Sequence, residues 1–194
     1  ETDGLSVTAF PVYHGDGAAG ASMLLLEYTG SSNTYLVTGD MLCPLLRRKD
    51  FDTLSRVRTM ITDTNNLYPD PGSNHISFTR SNPESHKDSK RLTDWIRSKK
   101  ITDLLKPHRY ENGGYAYYLK EFLKDWNDTG QLIFTILDLL RRVNIPEVWL
   151  VHYWGIYDEK LYNQSLLDAT GLEKWANHRA GQEGTRNIRF RVPK

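Results

Sequence analysis

The chain is poor in several things that would otherwise dictate its class. It has a single cysteine, Cys43, so no internal disulfide can form and a reducing, cytosolic setting is expected. No apolar run approaches the ~20 residues of a bilayer-crossing helix, and no basic-then-apolar leader of the secretory kind is present. A membrane partner is therefore not expected. Neither sign of charge prevails: Lys and Arg number 25 against 24 Asp and Glu, for a net charge of +1. That argues against a dominant nucleic-acid field while leaving room for a local basic groove. There is no internal repeat and no low-complexity tract. The first residues are Glu1-Thr2-Asp3-Gly4, without an initiator Met, and strand-like sequence follows at once. Such a start is expected of a trimmed chain or of one that begins part-way through a domain.

What is present is ordinary globular material, 39% apolar and 25% charged over 194 residues, enough for one good core with an elaboration. Leu5 to Tyr13 alternates and is rich in β-formers, ending at His14-Gly15. Ser22 to Tyr28, Tyr35 to Thr38, Thr59 to Thr62 and Val148 to Val151 read as further strands, and Ile188 to Val192 as a closing edge strand. Helical patterning is expected in part of Cys43–Leu54, over 84–100, 115–126 and Leu132–Val143, and from about Asp158 to Asn177 with Gly171 interrupting it. Strands, then helices, then strand-helix-strand make an α/β pattern with a mixed sheet and flanking helices. Boundaries fall near Ser81-Asn82-Pro83 and Asn144-Ile145-Pro146. They divide the chain into 1–80, a helical insertion or cap at 81–145, and a returning strand and helix at 146–194.

Chemistry concentrates where strand-like runs stop. Tyr35-Leu36-Val37-Thr38-Gly39-Asp40 ends a buried strand on an acid, a place where Asp often serves only as a turn former. His14, His75 and His152 also stand at the ends of strand-like runs. Imidazole and carboxylate are the ligand types of zinc, manganese and iron. Each histidine could instead be structural, bonded to backbone at a strand end. Asn65 and Asn66 could contact a substrate or simply make turns. His86, His108 and His178 lie in polar settings and receive no role.

These stretches together resemble the metallo-β-lactamase-fold hydrolases, over about residues 5–78 and 146–160. Phe10-Pro-Val-Tyr-His14-Gly15 looks like a histidine motif of that family, and Leu36-Val-Thr-Gly39-Asp40 like its strand-Gly-Asp. Ile61-Thr-Asp63, followed by Ser73-Asn74-His75-Ile76-Ser77, is similar to an element of the RNase Z and cyclic-nucleotide phosphodiesterase branch. Val148-Trp-Leu-Val-His152-Tyr153 looks like that branch's final strand and histidine. The family's His-x-His-x-Asp-His element is nowhere in the chain; His86 is followed by Lys87-Asp88 without partner histidines. The resemblance thus implies the second half of a four-layer αββα sandwich plus a helical insertion. The first half would lie on another segment, on another chain, or be lost.

By the same resemblance, Asp40 bridges two divalent transition-metal ions, zinc foremost with manganese or iron as alternatives, and helps hold a hydroxide between them. His14 and His152 are the other metal ligands. His75 becomes a proton donor or phosphate contact, Asp63 the group that sets its tautomer, and Asn65, Asn66 and Asn74 candidate substrate contacts. The implied activity is phosphodiester hydrolysis on a nucleotide or nucleic acid. Hydrolysis of a lactone, thioester or β-lactam, and a non-catalytic scaffold that keeps the fold, are the alternatives. The insertion mixes aromatics (Trp95, Tyr110, Tyr115, Tyr117, Tyr118, Phe122, Trp126) with Lys and Arg. Such a mixture suits an amphipathic cap or a homodimerisation arm with a solvated basic face, with base stacking and phosphate attraction as the alternative.

Overall fold

The computed structural model describes residues 4–14, 21–68, 75–79, 133, 135–153, 156–157 and 166–193. The expected helices at 84–100 and 115–126, the aromatic and basic residues of the insertion, Asn74, His86 and His108 lie outside them. In chain order the elements are β1 (Leu5–Tyr13), β2 (Ala21–Tyr28), β3 (Thr34–Val37), β4 (Cys43–Pro44), α1 (Arg48–Leu54) and β5 (Thr59–Asp63). After these come α2 (Ile136–Arg142), β6 (Glu147–Val151), β7 (Ile156–Tyr157), β8 (Leu166–Leu167), α3 (Ala169–Gln182) and β9 (Arg189–Arg191). The expected α/β class with a mixed sheet and flanking helices is what forms.

Seven strands make one sheet in the order β4-β1-β2-β3-β5-β6-β9, while β7 and β8 pair separately. Pairing is antiparallel from β4 to β3 and parallel from β3 to β9. Two antiparallel steps separate β1 from β3, so β1 points the same way as β3, β5, β6 and β9. The carboxyl ends of all five strands therefore meet one edge of the sheet. That edge is where open α/β sheets present their ligand sites, because the loops leaving neighbouring parallel strands converge there.

The parallel strands follow one another without reversal, so right-handed crossovers place α1, α2 and α3 on a single face. Alternate strand residues sink into that face: Phe10 and Val12, Met23 and Leu25, Leu36, Met60, Val148 and Leu150, and Phe190. They join one buried cluster with Leu54, Ile136, Leu139, Leu172 and Ala176. Phe78 sits between Phe190 and Trp175, with ring centroids 5.2 and 5.1 Å away. The intervening residues show on the other face, where Leu5, Val7, Leu24, Tyr28 and Trp149 are exposed.

Three elements differ from expectation. Cys43–Leu54 is helical in part as expected, at α1, but its first two residues, Cys43-Pro44, are a short strand pairing with Val12 and Tyr13; Pro44 sits on an edge strand, where the lost N–H donor is tolerated. The last helix is α3, starting at Ala169 rather than near Asp158, and Gly171 lies inside its first turn rather than interrupting it. Asp168 caps it, its Oδ1 accepting from the Gly171 N–H at 2.7 Å, which outweighs the poor helix propensity of glycine there. The helix expected over Leu132–Val143 starts at Ile136, because Thr135 takes the cap and accepts from the Asp138 N–H. Residues 136–145, within the stretch read as an insertion, pack into the main core through Ile136, Leu137, Leu139, Leu140, Val143 and Ile145.

Candidate functional site

Register decides what meets at the carboxyl edge. Val37 pairs with Ile61, and Asp63 with Val151, so the residues just beyond these pairs come out side by side. Gly39 takes φ +60, a left-handed turn that glycine adopts without steric cost, and it swings Asp40 across the strand ends. His152 also leaves its strand with positive φ, at 55. Beneath them lie buried threonine hydroxyls: that of Thr38 donates to the Gly39 carbonyl at 2.9 Å and is paired with the Thr62 hydroxyl at 3.1 Å.

Asp40, Asp63, His75 and His152 each offer a donor atom within 4.8 Å of all the others. The His152 Nδ1 stands 3.0 Å from Asp40 Oδ1 and 3.3 Å from Asp63 Oδ1. The His75 Nδ1 donates to Asp63 Oδ2 at 2.5 Å. The Asp63 carboxylate is 1% exposed against 42% for Asp40 and 41% for His152, so one acid forms a dry floor and the other an open rim. The backbone N–H of Asn65 gives Asp63 Oδ1 a further bond at 2.9 Å.

The donor types and spacing of this set could hold a metal ion. Oxygen and nitrogen ligands at ~2.0–2.2 Å from a metal lie roughly 3.0–3.5 Å from one another when adjacent, and the His152 separations fall in that span. The His75–Asp63 contact is shorter and reads as a hydrogen bond. The cluster could hold a metal ion with Asp40 and His152 as its accessible side.

His14 is partly buried, and its ring makes an edge contact with His75 at 5.5 Å between centroids, next to the four-residue group. Asn65 contributes its backbone to Asp63. Asn66 braces the loop: its Nδ2 donates to the His75 carbonyl at 2.9 Å and its own carbonyl accepts from the Phe78 N–H. The Ile76 N–H donates to the Met41 carbonyl, tying the His75 segment to the residue after Asp40. His178 is exposed on α3 and accepts from Gln182 Nε2 at 3.0 Å, away from the cluster. Sequence reading passed over Thr38, Thr62 and Thr64. The signal was present, since each lies within two residues of an acid at a strand end.

No family model and no curated protein matches the sequence. Solved structures do. The metallo-β-lactamase fold protein YhfI from Bacillus subtilis aligns with 98% of this chain and 47% of its own, at 9% identity and a TM-score of 0.45. Unliganded yeast PDE1 aligns over 100% of this chain and 45% of its own, at 10% identity and a TM-score of 0.45. A diphosphatase from the PhnP family covers 98% and 42%, at 9% identity and a TM-score of 0.38. The chain spans less than half the length of these proteins.

Proposed function

We propose that the chain carries part of the active site of a metal-dependent hydrolase that cleaves phosphodiester bonds in a nucleotide or nucleic acid. The observation that carries this reading is the convergence of Asp40, Asp63, His75 and His152 at the carboxyl edge of the sheet. The motif resemblance at Asp40, at Asp63 with His75, and at His152 points the substrate toward phosphodiesters. Asp40, His152 and His14 hold two divalent transition-metal ions, zinc foremost, with further ligands from a segment outside this chain. Bound there, such ions would neutralise phosphoryl charge and acidify a water.

The chain's own residues then divide the remaining work. Asp63 keeps the hydrogen of His75 on Nδ1 and orients the ring. The Nε2 of His75 is thereby left with a free lone pair, which takes a proton from the attacking water and passes it on to the leaving oxygen, a task suited to an imidazole. The buried floor at Asp63 excludes water on one side while the Asp40 and His152 rim admits substrate.

The partner in this reading is a second β-sheet, on a further segment or a separate chain. It covers the face opposite α1, α2 and α3 through Leu5, Val7, Leu24, Tyr28 and Trp149. Four of these lie on β1 and β2, with Leu5 opposite Tyr28, Val7 opposite Leu26 and Leu24 opposite Ala9. Apolar faces of this kind normally pack at ~10 Å against another layer.

Metal analysis of the purified chain, alone and with a complementing half, tests the site. Retention of transition metal that is lost in Asp40→Ala supports it, and no metal in either preparation overturns it. The substrate class is tested with bis-p-nitrophenyl phosphate, cyclic nucleotides, RNA and nitrocefin. Turnover of nitrocefin alone would rule out the phosphodiesterase assignment.

A further inference from the structure

His152 reaches the cluster only because its backbone departs from the strand. Along β6, Val148 and Leu150 sink into the helix-covered core while Trp149 is exposed. Continued extension would send the side chain of residue 152 toward the same side as Leu150. Instead φ is 55, a conformation that costs a residue with a Cβ and that surrounding bonds must hold in place.

The holding bonds converge on one atom. The carbonyl of Val151, which opens the peptide leading into His152, accepts from the Thr64 N–H at 3.0 Å and from the Thr64 hydroxyl at 2.9 Å. The first bond continues the β5–β6 ladder. The second is an additional side-chain bond, made by a wholly buried threonine directly after Asp63. With both lone pairs of that carbonyl engaged, the peptide plane before His152 is pinned and the turn cannot relax by rotating it. One residue pair thus links the floor of the site, Asp63, to its rim, His152.

We propose that Thr64 is a positioning residue, whose hydroxyl holds the Val151–His152 peptide so that the His152 imidazole stays against Asp40 and Asp63 in ligating geometry. This rests on the metal-site reading above. Groups that orient ligands typically change metal affinity ~10–100-fold when removed.

The test is titration of the full chain, in the preparation shown to bind metal, with Zn2+ alone and with Co2+, whose visible absorption reports ligand geometry. Thr64→Val keeps shape and removes the hydroxyl. It is expected to weaken binding about 10-fold or more and alter the Co2+ spectrum, whereas Thr64→Ser restores both. Thr185→Val removes another buried hydroxyl bonded to a carbonyl, that of Ala180 at 2.9 Å beyond α3. It should lower thermal stability comparably while leaving both metal readouts at wild-type values. Thr64→Ala carries the same test should the valine variant fail to fold. Wild-type affinity and spectrum in Thr64→Val or Thr64→Ala would overturn the positioning role. Absence of metal binding by the wild-type protein would overturn the reading beneath it, so the two failures are distinguishable.

Discussion

Asp63 offers the sharpest perturbation, because its carboxylate is buried yet touches two histidines. Changing it to Asn preserves volume, and the amide oxygen can still accept from the Asn65 N–H that now lies 2.9 Å from Oδ1. The amide nitrogen, however, is a donor and faces the His75 Nδ1 that now donates to Oδ2 at 2.5 Å. The pair can be satisfied only if His75 moves its hydrogen to Nε2. Such an exchange leaves the fold intact, with stability changed by no more than ~1 kcal/mol in the metal-free protein, the scale of one neutral hydrogen bond. Function responds differently. With His75 unable to take up and pass on a proton, the loss is roughly 10²–10⁴-fold in rate, the typical contribution of a positioned acid–base group. The assay is turnover of bis-p-nitrophenyl phosphate by the metal-loaded protein, beside thermal melts of both variants without metal. Full activity in Asp63→Asn would refute the assignment of His75 as the proton-transferring group. A collapse of the metal-free melt would instead show Asp63 to be a structural acid.

Two further outcomes follow from the local geometry. Gly39→Ala places a Cβ on a residue at φ +60, where nothing crowds it but the backbone disfavours it; denaturant unfolding should show a loss of ~1–2 kcal/mol, and metal binding should weaken as Asp40 shifts. The Cys43 thiol is buried, and burial pushes its pKa from 9.0 up to about 12. Its folded pKa exceeds the unfolded one, so its contribution to stability is fully present below about pH 9 and falls as pH rises toward 12. Ellman's reagent should accordingly leave the native protein unlabelled and react with Cys43 on unfolding; rapid labelling of the native state would contradict this.

Much of the strand set was legible because β-strand patterning is local. Leu5–Tyr13, Thr59–Thr62 and Val148–Val151 announce themselves through alternation and β-branched residues, and turn chemistry bounds them. The acid and histidines at their ends were legible for the same reason. The short Cys43-Pro44 strand was not, since two residues carry no periodicity and only pairing with Val12 and Tyr13 makes them a strand. The start of α3 was missed because a cap is a geometric event: Asp168 marks it only once its side chain meets the Gly171 N–H.

The sequence by itself determined an α/β protein whose candidate chemistry sits at strand ends, with one thiol and no charge excess. Alternation, breakers and residue types are properties of neighbours in the chain, so they survive without knowledge of the fold. Only the tertiary structure decided which candidates meet. Parallel pairing of β3, β5 and β6 in one register brings Asp40, Asp63 and His152 together although they are far apart in sequence. The left-handed turns at Gly39 and His152 then aim two of them, a consequence of backbone bonds that no residue pattern records. Depth was decided there too, for the strand ends bury the Asp63 carboxylate and leave Asp40 at the rim.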